Sequence, residues 1–450
     1  MKYIKLLSRI VLGAVFIFSG FVKAVDPLGS AYKFSDYFSA FHMGFLEFLV
    51  LPLGIFLSAF ELVLGISLLL GYRRRSIYPV LMWFMTFFTV LTFVLAIFNP
   101  VSDCGCFGDA VILTNWQTFL KNLVLMIFVL VLYLQRKHEK ETGGNTVEWI
   151  IVSGLFGLVI WFSSWNYNHL PLLDFRPYDL GTNIHEEMEM PEGAPVDEYD
   201  TELIYMNKTT GKSEVFSISD YPRDTTEWEF VSSDSKLVSK GYEPPIHDFA
   251  IMDPYGSDLT DLILSDQGYS LLMIAHDLSK SDEGALMKAR EWYQIELLSG
   301  DFSFYAVTAS TSQEAGEVSN SLELGYTFHS ADEIMQKTIV RSNPGFLMLK
   351  NGTIVGKWSS ADFPKIEEVD PEWHELIGNA SAPLDEEAQL LMEAGVFEDF
   401  TFEVIDLDQI MPGVLIERNS QQRERGVIIA FFLGIFVLLF TSSLISPVKV

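Results

Sequence analysis

The chain has 450 residues, 49% of them hydrophobic, and a formal net charge of −29 at pH 7. Of its 59 acidic side chains, 50 lie in residues 166–424, and the remainder of the chain is mildly basic. An acidic balance argues against nucleic-acid binding, for which a basic surface is typical. The composition therefore separates one acidic, soluble region from a region built of long apolar runs.

Six apolar runs are each about long enough to cross a hydrocarbon layer of roughly 30 Å. The predicted spans are residues 4–22, 45–71, 77–98, 116–134, 147–165 and 427–445. The first run could instead be a signal peptide, because basic residues precede its apolar core. Residues 19–24 form a poor small-residue cleavage site, however, and further spans follow closely, so we expect a retained first helix.

Three basic segments predict the orientation of these spans. They are residues 2–9, 72–75 and 136–138, and they fall on one side of the membrane when the spans alternate. The positive-inside rule assigns that side to the cytoplasm. Three arginines in residues 418–425 count weakly against this orientation. In a bacterium the sequence thus predicts an inner-membrane protein, with an N-terminus in the cytoplasm and a large domain in the oxidising periplasm.

Cys104 and Cys106 are the only two cysteines, and one glycine separates them in the loop between the third and fourth spans. Two neighbouring cysteines favour a local redox pair over a disulfide framework. Thr114 or Asn115 would cap the following helix, near whose start a thiolate is favoured. A disulfide across one residue is strained and exchangeable. The alternatives of an inert staple, or of two thiols that simply pack, stay open.

Three charged residues fall within or at the ends of predicted spans. Glu61 lies near the middle of the second span, where a carboxylate is costly and usually faces the bundle interior or a wet cavity. It could relay protons, hold a quinone or a cysteine-bearing partner, or be a protonated carboxyl bonded to a neighbouring helix. Lys23 and Lys121 are predicted to snorkel to the interface, with stabilisation of a thiolate as the alternative for Lys121.

The N-terminal region resembles the MauE/DoxX group of four-helix membrane proteins over about residues 1–138. The likeness rests on residues 18–23 with Asp26-Pro27, on residues 61–71 and on the cysteine loop at 104–108. For MauE, the resemblance implies methylamine utilisation, with disulfide formation in a periplasmic dehydrogenase subunit alongside a thioredoxin-like partner. For DoxX-type proteins it implies thiosulfate:quinone electron transfer. Cys104 and Cys106 carry over as the candidate redox pair, and a quinone becomes a candidate cofactor.

Residues 244–366 alternate buried strands and helices and end in a hairpin with an Asn-Gly turn, a pattern typical of an α/β sheet. This order resembles the thioredoxin-like fold, particularly its TlpA- and peroxiredoxin-like branch. Asn343-Pro344 matches the place where thioredoxins carry a cis-proline. Residues 275–283, where the paired cysteines of that family would lie, contain none, so this domain cannot perform dithiol exchange by itself. His276, near that position, is expected to be a surface or capping residue, with catalysis as the alternative.

The sequence therefore predicts an α-helical membrane bundle, of four helices plus two further spans, with an α/β thioredoxin-like soluble domain. The predicted domains are a MauE/DoxX-like bundle (1–138), a fifth span (147–165), an acidic linker with a small β-rich segment and a hairpin around 207–212 (166–243), the thioredoxin-like domain (244–366), an acidic extension (367–425) and a sixth span (427–445). No metal site is predicted.

Two functions fit this organisation. In the first, Cys104 and Cys106 support thiol–disulfide exchange or electron transfer at the periplasmic face, with Glu61 as a candidate proton relay. The partner would be a periplasmic redox or envelope protein, and a tethered domain would raise its effective concentration. In the second, the protein is a non-enzymatic membrane scaffold whose redox-dead domain binds an envelope partner.

Overall fold

The computed structural model describes residues 2–138, 146–191, 193–239, 241–299, 302–366 and 421–445. The chain forms two compact units. The larger combines Met1–Thr182 with Ala250–Val450, and the smaller is Asn183–Phe249. The larger unit holds both the apolar helices and the thioredoxin-like domain.

The N-terminal region is entirely helical. Its elements are α1 (Lys2–Val25), α2 (Pro27–Ala40), a 3-10 segment (Gly44–Leu49), α3 (Val50–Leu70), α4 (Arg74–Phe98), α5 (Asn115–Gln135) and α6 (Thr146–Asn168). In the described part of the chain, five helices are long and apolar enough to cross a membrane, and they correspond to the first five predicted spans. The protein is a multi-pass membrane protein. Helix α2, which the sequence did not reveal, lies outside these spans.

Glycines bring α1 and α3 into backbone contact. A Cβ atom added to Gly20 would clash with the backbone nitrogen of Leu62, and one added to Gly65 would lie 2.7 Å from that of Ile17. Small residues of this kind allow close helix packing in membranes, where van der Waals contact replaces the hydrophobic drive of water. The close approach places the polar residues of α1 directly beside Glu61 of α3.

The smaller unit contains the short helix α7 (Ile184–Met188) and one antiparallel sheet. Its strands are β1 (Glu198–Asn207), β2 (Ser213–Ser217) and β3 (Trp228–Ser239), in the order β2-β1-β3. The predicted hairpin is present, since Met206 of β1 pairs with Ser213 of β2. The third strand was not predicted, because the polar run at residues 232–235 conceals it.

The thioredoxin-like domain contains α8 (Thr260–Leu264), β4 (Tyr269–Ala275), α9 (Glu283–Ser299), β5 (Phe302–Thr308), α10 (Ser312–Leu322), β6 (Phe328–Ser330), α11 (Glu333–Ile339), β7 (Gly345–Lys350) and β8 (Thr353–Ser359). The sheet order is β6-β5-β4-β7-β8. Strands β4, β5 and β6 are parallel, whereas β7 is antiparallel to both β4 and β8. This topology confirms the predicted thioredoxin-like fold, and the Asn343-Pro344 peptide before β7 is cis.

The last described helix, α12 (Gln421–Ile445), covers the predicted sixth span. It packs on α6, where the rings of Phe162 and Phe431 stack with centroids 4.1 Å apart. Its apolar part within the described residues, Gly426–Leu438, is shorter than the other five candidate spans. Most of the predicted acidic extension, residues 367–420, lies outside the described residues.

Candidate functional site

The loop between α4 and α5 brings the two cysteines together. Their Sγ atoms are 3.0 Å apart, and both cysteines are free thiols. Gly105 adopts a φ of 63° and Gly108 a φ of 52°, in the left-handed region that favours glycine. The helix after the loop begins with the predicted cap, since the side chain of Thr114 accepts a hydrogen bond from the backbone of Gln117. The geometry allows a disulfide to form with little movement of the sulfur atoms.

Helix α2 holds the N-terminal half of this loop. Lys33 forms an ion pair with Asp103, with 2.6 Å between Nζ and Oδ2. The hydroxyl of Tyr37 donates a hydrogen bond of 2.7 Å to the carbonyl oxygen of Cys104. The stem of Lys33 also covers Gly105, because a Cβ atom there would lie 2.7 Å from Cγ of Lys33. The loop is thus fixed by side chains rather than by regular secondary structure.

A buried charge pair supports the other side of the loop. Lys23 Nζ lies 2.9 Å from Glu61 Oε2, and the two side chains are only 7% and 8% exposed. Ser19 Oγ lies 2.7 Å from both Glu61 Oε2 and the carbonyl oxygen of Cys106, and Lys23 donates to that same carbonyl. The prediction that Lys23 snorkels is therefore wrong, because its ammonium is turned inward to the carboxylate and the cysteine loop. Ser19 and Lys23 are four residues apart on one face of α1, a spacing that could have indicated this group.

The electrostatics of the loop distinguish the two thiols. The hydrogen bond from Cys104 lowers the pKa of Cys106 to about 6, and the positive charges of Lys121 and Lys23 act in the same direction. The same hydrogen bond, together with burial, raises the pKa of Cys104. Cys106 is thus the more easily ionised of the two thiols. Lys121 does not turn away from the loop, since its Nζ lies 4.2 Å from the ring centre of Phe107.

A cavity of about 230 Å³ joins these groups inside the bundle. Both cysteines, the Lys23–Glu61 pair and Lys121 line it. The rest of its wall is mainly aromatic and aliphatic, and includes Phe16, Phe84, Phe87, Phe88, Leu91 and Leu125. A concave, mainly apolar space with a few convergent polar groups is the usual form of a small-molecule site. The three predicted site residues Cys104, Cys106 and Glu61 therefore meet in one cavity.

His276 lies elsewhere, at the vacated cysteine position of the thioredoxin-like domain. Its ring is half-buried and meets Tyr32 of α2 edge to face, with 6.3 Å between centroids. Its Nδ1 finds no hydrogen-bond partner among the residues that the structure describes. The residue that follows His276 is bonded within the domain, because Asn343 Nδ2 donates a hydrogen bond of 2.7 Å to the carbonyl of Asp277. His276 is therefore a contact residue between the domain and α2, rather than a surface residue.

The fold and the site together define a multi-pass membrane protein with a paired-cysteine loop and a thioredoxin-like domain. Comparison with known proteins gives the family of the membrane part: residues 1–135 match the family described as methylamine utilisation protein MauE. These residues form a MauE domain, as their sequence predicted. Residues 199–240, in the smaller unit, match a domain of unknown function (DUF8463).

Among solved structures, the chain is similar to the solution structure of a "putative protein disulfide isomerase" from Bacteroides thetaiotaomicron. The sequence identity is 12% and the TM-score 0.22, over 33% of this chain and 90% of that one. No curated protein matches the chain significantly. The assignment of the thioredoxin-like fold therefore rests on the strand order and directions given above.

Proposed function

We propose that this protein is a membrane thiol–disulfide oxidoreductase that passes electron pairs from a periplasmic thiol protein to a quinone. The observation that supports it is the cavity in which the Cys104 and Cys106 sulfurs, 3.0 Å apart, meet the Lys23–Glu61 pair. An inert staple would need neither a thiol of lowered pKa nor a cavity at the sulfurs. A scaffold would need no buried charges beside the cysteine loop.

In the proposed exchange step, a disulfide joins Cys104 and Cys106 at the start. A thiolate of the partner attacks Cys104, because Cys106, whose pKa is about 6, is the better leaving group. A second thiol of the partner then attacks the mixed disulfide and releases Cys104. The partner leaves as a disulfide, the Cys104/Cys106 pair is left as a dithiol, and two electrons have entered the membrane domain.

The cavity supports a planar ring as the electron acceptor. Its volume of about 230 Å³ suits one substituted ring, and its apolar wall suits a lipid-soluble molecule. When bound, a quinone would supply a two-electron, two-proton acceptor. The aromatic residues Phe84 and Phe88 would hold the ring, and Lys121 would favour the Cys106 thiolate beside it.

Return of the dithiol to the disulfide releases protons as well as electrons. Glu61 is suited to receive a proton, because it is hydrogen-bonded to Ser19 and paired with Lys23, and both of these contact the carbonyl of Cys106. This role develops the predicted proton relay at Glu61.

The proposal assigns the protein to the bacterial inner membrane. The basic residues at 73–75 and 136–137 support a cytoplasmic location for the loops after α3 and α5. The cysteine loop and the thioredoxin-like domain would then face the periplasm, where an oxidised partner is stable. The partner proposed is a soluble envelope protein with a dithiol, because the thioredoxin-like domain of this chain has no cysteine of its own.

The experiment is thiol alkylation with a mass-shift reagent on membranes equilibrated in graded redox buffers. A reversible two-electron transition of the Cys104/Cys106 pair supports the proposal. Cys104→Ser and Cys106→Ser should each abolish the two-electron transition, and Ser102→Ala, in the same loop, should behave as the wild type. A pair that stays in one state in every buffer would contradict the proposal and favour the scaffold.

A further inference from the structure

One arginine of the thioredoxin-like domain reaches the cysteine loop. Arg341 lies two residues before the cis Asn343-Pro344 peptide, at the vacated active-site end of the domain. Its side chain is only 7% exposed. Nε lies 3.0 Å from Asp26 Oδ2, and Nη2 lies 2.7 Å from Asp109 Oδ2. A single guanidinium thus bridges two carboxylates of the membrane domain.

One of the two carboxylates, that of Asp109, belongs to the cysteine loop itself. Asp109 follows Cys106 by three residues and lies in the short 3-10 segment Gly108–Ala110. The loop has little regular structure of its own between the end of α4 and the cap of α5. Arg341 therefore fixes the C-terminal half of the loop from outside the bundle.

The other carboxylate, that of Asp26, supports the N-terminal half of the loop through α2. Asp26 caps that helix, since its Oδ1 accepts a hydrogen bond of 2.8 Å from the backbone nitrogen of Gly29. The same helix carries Lys33 and Tyr37, which hold Asp103 and the carbonyl of Cys104. Arg341 thus contacts one carboxylate of the loop itself and one at the start of the helix that holds the rest of the loop.

The neighbouring contacts show that this is a packed interface. Tyr32 of α2 lies against the domain, with the guanidinium carbon of Arg341 5.2 Å and Nζ of Lys337 4.7 Å from its ring centre. His276 meets the same ring edge to face. Burial raises the pKa of Tyr32 to about 12, so the ring stays neutral between the two cations. The end of the domain where thioredoxins carry their paired cysteines therefore contacts the membrane domain.

We infer that the thioredoxin-like domain favours the disulfide form of the Cys104/Cys106 pair in the membrane domain. Arg341 is the positioning residue, because it braces the cysteine loop through Asp26 and Asp109. This inference rests on the proposed function, since it assumes that the pair cycles between dithiol and disulfide. A braced loop keeps the two sulfurs at a high effective concentration, and this favours the disulfide. The planar guanidinium holds its donors toward two carboxylates in a fixed geometry, whereas the ammonium of a lysine is a compact charge on a flexible stem.

The test measures the dithiol–disulfide equilibrium of full-length variants in membranes. Arg341→Gln should loosen the loop and shift the equilibrium constant about tenfold toward the dithiol, a rise of about 30 mV in midpoint potential. Asp109→Asn should shift it in the same direction, and the double variant should shift it less than the sum of the two. Arg341→Lys, which keeps the positive charge but loses the rigid fork of donors, should give an intermediate value.

Arg176→Gln is the matched control. Arg176 is also a buried arginine, and it pairs with Asp174 and donates to the carbonyls of Thr338 and Lys337. Arg341 donates to the same Lys337 carbonyl, so Arg176→Gln removes a neighbouring buried arginine while the Asp26–Arg341–Asp109 bridge is kept. If Arg341→Gln leaves the midpoint unchanged, or if Arg176→Gln shifts it equally, the inference is overturned while the proposed function stands. If the wild type shows no reversible transition, the proposed function itself has failed.

Discussion

Replacing Lys23 by methionine removes the ammonium from a group in which it contacts Glu61, Ser19 and the carbonyl of Cys106. The carboxylate of Glu61 then remains 8% exposed, with Ser19 as its remaining neighbour in that group. Removal of one partner from a buried ion pair costs about 3 to 5 kcal/mol, because an uncompensated charge is left behind. We expect a loss of that size for Lys23→Met in the free energy of unfolding.

The interaction itself is measured by a double-mutant cycle with Glu61→Gln. The second substitution removes the charge that the first leaves unpaired, so the double variant should be more stable than the sum of the single losses predicts, by about 2 kcal/mol. The assay is reversible unfolding of the purified full-length protein in detergent micelles. Lys137→Met, at an exposed lysine after α5, is the matched control and should cost less than about 0.5 kcal/mol. If Lys23→Met lowers the free energy of unfolding no more than the control does, the reasoning is refuted. Lys23 would then be a lysine that snorkels to the interface.

Two further predictions concern groups outside this pair. Lys121→Gln should raise the pKa of Cys106 above its value of about 6, because one of the positive charges that lower this pKa is removed. The pH dependence of Cys106 alkylation measures the change, and a profile identical to that of the wild type would contradict the prediction. Burial holds the pKa of His276 at about 4 against 6.5 when unfolded, so the unfolded chain takes up the proton first as the pH falls. Stability should therefore be full above about pH 6.5 and decline by about 2 to 3 kcal/mol down to about pH 4. His276→Asn should abolish that part of the decline in acid unfolding of the full chain, and a variant as acid-sensitive as the wild type would contradict it.

Much of the fold could be predicted because it depends on local patterns. Apolar runs of membrane-spanning length are apparent in the sequence without knowledge of their neighbours. The buried strands β4 and β5 are continuous apolar runs, and the Asn351-Gly352 turn, with φ of 48° and 71°, is the conformation that this dipeptide favours. The short strand β6 was missed, because three residues carry too little pattern to be distinguished from a loop.

The candidate site was predicted only in part, for a physical reason. The cysteine pair is adjacent in sequence, and an intramembrane glutamate is conspicuous by itself. Lys23 and Glu61, however, are 38 residues apart, and they meet only because glycines let α1 and α3 approach. Arg341 and Asp109 are separated by 232 residues, and nothing in the pattern of the sequence indicates that a domain without cysteines would contact the loop that has them.

We propose that the Cys104/Cys106 pair passes its electrons to a quinone in the adjoining cavity. The most direct test adds a short-chain quinone to the purified, fully reduced protein in the absence of oxygen, and counts free thiols and quinol together. We expect two thiols to disappear for each quinol formed, and we expect Cys104→Ser and Cys106→Ser each to abolish the reaction. Thiols that stay reduced in the presence of excess quinone, or quinol formed equally by the serine variants, would contradict it.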